Sequence, residues 1–125
     1  MIFIDTHIFI WLYAGLSEKF SAEMVAILDN HDIKISPIVL LETQYLYEIK
    51  RITCTSKKIY EDLHLRLGIT INNDDFSLVI QNALTLEWTR DPFDRIITAH
   101  ATALSLPLMT ADETILKNYL AAIWQ

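Results

Sequence analysis

Four acidic residues stand where an apolar segment has just ended or where a helix begins. Asp5 follows the run Met-Ile-Phe-Ile, Glu42 follows Pro-Ile-Val-Leu-Leu, Asp94 comes shortly after an Asp-Pro pair, and Asp112 closely follows Leu-Pro-Leu-Met. Crowded carboxylates repel one another, and some of them stay protonated unless a cation neutralises their charge. Mg²⁺ and Mn²⁺ prefer oxygen ligands, whereas cysteine or several histidines would suit zinc. If the fold brings these four acids together, they are predicted to form a hard-metal site.

The elements that must position these acids are indicated by apolar runs and by helix-capping residues. Short apolar runs predict strands over residues 1–4, 33–35, 69–71, 106–109 and 122–124. Capping residues, proline at the first helical position and terminal glycines predict helices over residues 7–13, 21–30, 36–51, 56–67, 74–86 and 91–104, and a last helix that begins at Asp112. Strands and helices therefore alternate along the chain.

Apolar strands that alternate with helices indicate a parallel sheet that is covered on both faces. The sequence therefore predicts an α/β fold, namely a three-layer α/β/α sandwich with a central parallel sheet. Binding sites in such folds form outside the carboxyl ends of the strands. Asp5 and Asp112 follow strands, while Glu42 and Asp94 lie in the first two turns of helices that begin near that edge. The four acids are expected to converge there, and helix N-termini should help Asp94 and Asp112 to stay ionised.

Length and composition limit the organisation and the partners of the chain. With 125 residues, 52% of them hydrophobic, a single domain over residues 1–125 is expected. The net charge of -6 argues against a broad basic face for nucleic acid, although metal-binding acids contribute to that total. Cys54 is the only cysteine, and the sequence shows neither a signal peptide nor an apolar run near the ~20 residues of a membrane span. We therefore expect a soluble, cytoplasmic protein with no membrane contact.

Four segments of the chain are weakly specific alone but specific in their combined order and separation. They are Ile-Asp-Thr-His at 4–7, Ser-Pro-Ile-Val-Leu-Leu-Glu at 36–42, Arg-Asp-Pro-Phe-Asp-Arg-Ile-Ile-Thr-Ala-His-Ala at 90–101, and Leu-Pro-Leu-Met-Thr-Ala-Asp at 106–112. Over nearly its whole length the chain resembles PIN-domain ribonucleases, in particular the VapC-type toxins of type II toxin–antitoxin systems.

The resemblance implies a PIN-like fold and cleavage of RNA that depends on Mg²⁺ or Mn²⁺. It also implies a homodimer and inhibition by a cognate antitoxin protein, whose C-terminal segment occupies the active-site groove. By position, Asp5, Glu42 and Asp94 correspond to the three core acids of the family, and Asp112 corresponds to a fourth, more variable acid. These four residues are therefore the predicted catalytic and metal-binding acids.

Two hydroxyl residues also match positions of the family that support the site. Thr6 and Thr110 correspond to hydroxyls that often hold metal-bound water or a carboxylate. The chain departs from the family at the next position, where Ala111 replaces the basic residue that many relatives carry. A contact from this position to the RNA backbone is therefore not expected.

Several acids near the predicted site also have structural explanations. Asp91 precedes a proline, so it is expected to cap a helix, with a possible supporting role behind the metal ligands. Asp94 could return a capping-box hydrogen bond, and Asp112 could cap the last helix. Glu48 lies more than a turn beyond Glu42 and is expected at the surface or paired with Arg51.

Charged and aromatic side chains outside the acid set have two interpretations each. Arg90 and Arg95 could hold phosphate or form salt bridges with Asp91 or Asp94. His7 is expected to pack beside the first strand or to support its acid. The other histidines share no metal-site spacing and are expected to be structural or exposed; they are His31, His64 and His100. The only basic cluster is expected to be a solvated face and consists of Lys50, Arg51, Lys57 and Lys58. The larger aromatics could stack on RNA, although packing or dimer contacts are favoured: Trp11, Trp88, Trp124, Tyr45 and Tyr47.

Three other functions are compatible with parts of this pattern. A nuclease that acts on DNA or on flaps would use the same acids, but the short chain lacks extra elements to clamp a duplex. A catalytically idle PIN-like module that binds RNA or protein is a second alternative. A phosphotransfer domain is the third, but a receiver needs paired acids after its first strand, and a haloacid-dehalogenase-like phosphatase needs Asp-x-Asp, whereas Asp5 is followed by Thr6-His7. The metal-dependent ribonuclease is favoured, and hydrolysis by metal-activated water should leave a 5′-phosphate and a 3′-hydroxyl.

Overall fold

A computed structural model describes residues 1–125 and contains five strands and seven α-helices. The elements follow one another as β1 (Ile2–Ile4), α1 (Thr6–Ala14), α2 (Ala22–Asp29), β2 (Ile33–Ile35), α3 (Pro37–Glu48), α4 (Ser56–Leu67), β3 (Thr70–Ile71), α5 (Phe76–Ala83), α6 (Pro92–Ala103), β4 (Leu108–Met109), α7 (Glu113–Asn118) and β5 (Ala122–Ile123). A 3₁₀ turn, Ser17–Lys19, lies between α1 and α2. No helix is both long and apolar enough to cross a bilayer.

The five strands form one sheet in the order β3-β2-β1-β4-β5, and every neighbouring pair is parallel. All three residues of β1 are buried, although successive side chains of a strand point to opposite faces. The helices therefore cover the sheet on both sides, and the prediction of an α/β/α sandwich with a central parallel sheet is confirmed. Because β1 is central, the residue that follows it lies in the middle of the carboxyl edge.

The main apolar cluster of the core surrounds β1, and a smaller one of three residues lies between α5 and α6. The main cluster contains 17 buried residues, among them Phe3 of β1, Phe9 of α1 and Leu63 of α4. The side chains of α1 and α4 reach the same cluster as the strands, so the first helix is held firmly over the sheet. Since burial of a large apolar side chain contributes about 1.5–3 kcal/mol, this cluster fixes the position of the helix that begins at the end of β1.

Most helix starts agree with the prediction, but α5 begins at Phe76 after the cap Asp75 rather than at residue 74, and several helix ends differ. α3 begins at the proline after Ser36 but ends at Glu48 rather than near residue 51. α5 is shorter than residues 74–86, and β4 covers only the last two of residues 106–109. Ser36 occupies the N-cap position of α3, yet its side chain makes no capping hydrogen bond and instead contacts His100.

Candidate acidic active site

The predicted acids line one pocket at the carboxyl edge of the sheet. Its wall is formed by the side chains of nine residues from four parts of the chain, namely Asp5, Thr6, His7, Ile10, Glu42, Leu46, Asp91, Asp94 and Asp112. Asp5 directly follows β1, Glu42 belongs to α3, Asp94 belongs to α6, and Asp112 lies in the turn after β4. The structure therefore brings all four predicted metal ligands into one pocket, which the helix cap Asp91 also lines.

Asp5 is the most buried acid of the pocket and is the best supplied with hydrogen bonds. Its side chain is only 2% exposed and caps α1, because Oδ1 accepts the backbone N–H of Thr6 at 2.7 Å. Oδ2 accepts the hydroxyl of Thr110 at 2.7 Å. This second bond joins β1 to the end of β4, so the central acid is held rigidly by two neighbouring strands.

Glu42 projects from the second turn of α3 and lacks such support. Its Oε1 atom and the Oγ1 atom of Thr6 are both buried without a hydrogen bond of normal geometry. The pKa of Glu42 is raised to about 7, mainly by burial; a contact with the Thr6 hydroxyl opposes the increase, and the charges of Asp5 and Asp91 contribute to it. Near neutral pH this carboxyl group is therefore partly protonated in the metal-free protein.

Asp94 lies in the first turn of α6 and has the higher pKa of the two. Its pKa is raised to about 8, mainly by burial and then by the charges of Asp5, Asp91, Asp112 and Glu42. The backbone N–H of Asp91 donates to Thr89 Oγ1, so Asp94 does not complete a capping box. In the metal-free protein, burial and the neighbouring acids therefore oppose the help that the helix N-terminus is expected to give to the ionised form of Asp94.

Asp91 and Asp112 both cap helices at the rim of the pocket. Asp91 Oδ1 accepts the backbone N–H groups of Phe93 and Asp94 at 2.9 and 3.2 Å. Asp112 Oδ1 accepts the N–H of Ile115 at 3.0 Å. One oxygen of each side chain is thus committed to a helix, and Oδ2 of each forms no hydrogen bond within the chain. A capping role and a role in the pocket are compatible for both acids.

His7 connects two sides of the pocket, although the sequence indicates only a general supporting role. Its Nε2 atom accepts the backbone N–H of Ala111 at 2.8 Å, so this nitrogen carries no proton. The other ring nitrogen, Nδ1, lies 3.5 Å from Asp5 Oδ2. The imidazole therefore ties the turn that carries Asp112 to the start of α1, a contact between positions that local sequence spacing could not reveal.

No basic side chain neutralises the pocket. Arg90 donates to the backbone oxygen of Glu87 at 2.7 Å, and Arg95 donates to that of Ala83 at 3.1 Å. The alternative that these arginines form salt bridges with Asp91 or Asp94 is therefore wrong. Glu48 accepts from Gln44 and forms no salt bridge with Arg51, so that pairing is also wrong. The only salt bridge between an acid and a lysine or arginine joins Asp62 and Arg66.

The chemistry of the pocket fits a hard divalent cation. Five carboxylates face it, a buried oxygen of Glu42 lacks a partner, and no lysine or arginine balances the charge. No group of three or more His, Cys, Asp or Glu side chains encloses an ion as the side chains stand. A bound ion would therefore have to draw the carboxylates closer, and the fit rests on the type of donor and on electrostatics.

A second polar cluster lies outside the pocket, on the other side of α6. His100 is buried, its Nδ1 atom lies 2.9 Å from Ser36 Oγ, and its Nε2 atom lies 2.7 Å from Asp74 Oδ2. These bonds link the starts of α3 and α5 to the last turn of α6. The serine is only 2% exposed, so this arrangement holds elements together and does not present a nucleophile.

The larger aromatic residues separate into two groups. The three tryptophans are half-buried and pack against the core: Trp11, Trp88 and Trp124. Tyr45 and Tyr47 are instead exposed at 48% and 37%, so neither is a core residue of the single chain. A second cavity, beside the amino end of β2, is mostly apolar and contains no cluster of acids.

Comparison with known proteins places this geometry in a family. The family model for the PIN domain matches residues 2–119. No curated protein sequence shows significant similarity. Among solved structures, VapBC2 from Rickettsia felis bound to a promoter DNA fragment is similar with a TM-score of 0.70 and 20% identity, over 99% of this chain and 98% of the other.

Two further structures show the same fold. A toxin–antitoxin complex from Klebsiella pneumoniae has a TM-score of 0.68 at 19% identity, covering 99% of this chain and 97% of that one. VapBC-1 from nontypeable Haemophilus influenzae has a TM-score of 0.58 at 20% identity, covering 100% and 97%. At such identities these structures support the architecture of the chain, while the family model spans nearly its whole length. The chain belongs to the PIN-domain family.

Proposed function

We propose that this PIN domain is a metal-dependent endoribonuclease and acts as the toxin of a VapC-type toxin–antitoxin pair. The observation that carries the proposal is the acidic pocket, in which five carboxylates meet without a lysine or arginine partner. PIN domains are generally nucleases, and the similar structures include toxin–antitoxin complexes. RNA as the substrate and Mg²⁺ or Mn²⁺ as the cofactor are the specific parts of the proposal.

Four acids are proposed to hold the cation. Asp5 would provide a fixed oxygen because two strands hold it, whereas Glu42 and Asp94 would provide the charge that the pocket now leaves uncompensated. Asp112 would complete the set through its uncommitted oxygen. A bound Mg²⁺ or Mn²⁺ would make a water molecule more acidic and would neutralise charge on the phosphate that is attacked.

The surrounding residues are proposed to keep this arrangement in place. Thr110 donates to Asp5 and accepts from the backbone of Asp112, so one hydroxyl orients two acids. The Thr6 hydroxyl has no partner of normal geometry and is free to support a carboxylate or a water molecule. Asp91 caps α6 and adds negative charge behind Asp94. Thr6 and Asp91 line the pocket, and Thr110 lies behind its wall.

Three further features follow from the proposed toxin function. An antitoxin would be the regulatory partner, in keeping with the toxin–antitoxin complexes among the similar structures. A homodimer is also proposed, in which basic residues of the two copies would together form a local positive surface, although each chain has a net charge of -6. The cytoplasm would be the compartment, because the RNA substrate and the antitoxin would be found there.

The test is RNA cleavage by the purified protein with Mn²⁺ or Mg²⁺. We expect Asp5→Asn and Asp94→Asn to lower the rate by at least about a hundredfold, since each removes a charge that would face the ion. Glu48→Gln is the matched control, because it removes one carboxylate of α3 outside the pocket. The products should carry 5′-phosphate and 3′-hydroxyl ends. Undiminished cleavage by both aspartate variants would refute the assignment.

Two controls separate the alternatives. Branched and single-stranded DNA are offered beside single-stranded RNA, and preferential cleavage of the branched DNA would identify a flap nuclease. An idle binding module would show no cleavage, and calorimetric titration with Mn²⁺ would show no binding. The proposed enzyme should instead bind Mn²⁺ in a way that Asp94→Asn weakens and Glu48→Gln does not.

A further inference from the structure

Tyr45 of α3 and Phe93 of α6 form an aromatic pair on the surface of the protein. Their ring centroids are 6.1 Å apart, and the ring planes differ by 30°. Tyr45 is 48% exposed and Phe93 is half-buried, so the second ring supports the first from below. The Tyr45 hydroxyl makes no hydrogen bond within the chain. An exposed aromatic ring that packs on a second ring and keeps a free hydroxyl offers a ligand both a stacking face and a polar tip.

This pair, called the Tyr45–Phe93 platform below, lies directly beside the acidic pocket. Tyr45 is one helical turn beyond Glu42, and Leu46, the next residue, lines the pocket. Phe93 immediately precedes Asp94 at the start of α6. Residues one turn apart on a helix are neighbours, so Tyr45 lies next to Glu42, and Phe93 is adjacent in sequence to Asp94. The platform is therefore beside two of the acids that face the pocket.

The surroundings favour a flat, uncharged group over a charged one. Tyr45 has exposed apolar neighbours one turn away on either side, Leu41 and Ile49, and the nearest charged groups of the acidic pocket are the carboxyls of Glu42 and Asp94. An anionic group would be repelled there, whereas the face of a nucleobase is neutral and stacks on aromatic rings whatever its sequence. Unpaired RNA is recognised in this way, because its bases are free to leave their own stack.

We propose that the Tyr45–Phe93 platform stacks one unpaired base of a single-stranded RNA and thereby places the adjacent phosphate at the acidic pocket. The proposal rests on the proposed nuclease function, whose substrate it locates on the surface. Tyr45 supplies the stacking face, and Phe93 fixes the orientation of its ring. Duplex RNA, whose bases are paired, would gain nothing from the platform and should bind more weakly.

The test is the binding of a short single-stranded RNA that contains 2-aminopurine, whose fluorescence falls when it stacks. Binding is measured with Ca²⁺, which occupies oxygen sites without the demand for octahedral geometry that Mg²⁺ shows. We expect Tyr45→Ala to weaken binding about fivefold to a hundredfold and to abolish the quenching, as at other base-stacking aromatics. Tyr45→Trp should restore both. Tyr47→Ala, on the same helix but without an aromatic partner, should leave both unchanged.

Other occupants of the platform give different results. If Tyr45→Ala alters sedimentation of the free protein but not RNA affinity, the surface joins two copies of the chain and the proposal is wrong. If it weakens binding of a partner protein while RNA affinity is unchanged, the surface belongs to that partner and the proposal is again wrong. Absence of RNA binding by the parent protein would also overturn it.

Failure of the platform and failure of the nuclease assignment can be told apart. The platform is tested by binding and quenching, whereas the catalytic acids are tested by cleavage with Mn²⁺. RNA binding that depends on Tyr45, with cleavage that survives Asp5→Asn and Asp94→Asn, would support the platform and refute the catalytic assignment. Cleavage that depends on the acids, with RNA binding that is unchanged by Tyr45→Ala, would support the catalytic assignment and refute the platform. In the cleavage assay, Tyr45→Ala should raise KM more than it lowers kcat.

Discussion

Two carboxylates of the pocket that are alike in the sequence have different surroundings in the structure. Asp5 accepts hydrogen bonds on both oxygens, whereas Glu42 keeps a buried oxygen with no partner. Asp5 is thus fixed before any ligand binds. The buried oxygen of Glu42 carries a desolvation cost that no hydrogen bond offsets and that a bound cation would offset. The type of each residue is evident from the sequence, but its desolvation depends on neighbours that only the folded chain supplies.

The hydroxyl of Thr110 is expected to matter more than its small size indicates. It donates to Asp5 and accepts the backbone N–H of Asp112 at 3.0 Å, so Thr110→Val would leave two polar groups of the pocket without a partner. We expect this variant to lower the free energy of unfolding by about 1–3 kcal/mol. Urea denaturation at pH 7 without metal measures the effect.

Thr98 provides a matched control within the same fold. It is 1% exposed, and its hydroxyl makes no hydrogen bond. Because nothing is lost when this hydroxyl is replaced by a methyl group of similar size, Thr98→Val should be neutral or slightly stabilising. Equal destabilisation by the two substitutions would show that burial of the hydroxyl, and not its bond to Asp5, determines the result.

The starts of the elements could be predicted from the sequence better than their ends. An acid or hydroxyl residue before a proline, as at Asp91, announces a helix through local chemistry that needs no tertiary partner. The end of α3 has no such local signal: the helix stops at Glu48, and the chain turns through Lys50 at a φ of 64° without a glycine. The helix is closed by backbone hydrogen bonds from Lys50 to Tyr47 and from Arg51 to Leu46, around a left-handed residue that the sequence would mark only if it were glycine.

The bond between Ser36 and His100 shows the same limit for side chains. From the sequence, Ser36 is a helix cap; in the fold its hydroxyl turns to a histidine from a helix far along the chain. Convergence of the four acids could be predicted because parallel strands share one carboxyl edge. Contacts that cross between helices, such as this one and that of His7 with Ala111, follow no topological rule.

The cluster of Ser36, His100 and Asp74 should stabilise the packing of α6 against its neighbours. His100→Leu places an apolar side chain of moderate size there and leaves the buried hydroxyl of Ser36 without its partner, while Asp74 keeps only the hydrogen bond from Asn72. We expect it to lower the free energy of unfolding by about 2–3 kcal/mol. His31→Leu is the control, since His31 is exposed and should change stability by less than about 0.5 kcal/mol.

Denaturation by urea distinguishes the two histidine variants, provided that the slope of the transition is unchanged. Asp74→Asn should cost less than His100→Leu, because the side chain of Asp74 is 30% exposed and water can replace its partner. If His100→Leu is as stable as His31→Leu, the buried cluster contributes nothing to the packing of α6.

Across the whole molecule, the fold concentrates negative charge at one edge of the sheet in a chain that is already acidic. The net charge is -6, and five of the acids face one pocket. Long-range attraction of RNA therefore cannot come from the chain as a whole. Neutralisation of this edge by a cation, together with stacking beside it, is the route by which an acidic domain could hold a nucleic acid.

The charge at this edge should make the metal-free protein less stable as the pH rises. The folded-state pKa is about 7 for Glu42 against an ordinary value of 4.5, and about 8 for Asp94 against 3.8. Between these limits the folded protein binds more protons than the unfolded chain, so the free energy of unfolding falls from about pH 4 to pH 8. We expect the Tm of the parent, measured in EDTA, to decrease over this range relative to a Glu42→Gln/Asp94→Asn variant, which lacks both groups.

Mg²⁺ should raise the Tm of the parent most at the alkaline end, where both carboxylates are charged, and should leave the double variant nearly unchanged. Parallel pH profiles of the two proteins in EDTA would contradict the raised pKa values, and equal shifts with Mg²⁺ would place the ion elsewhere.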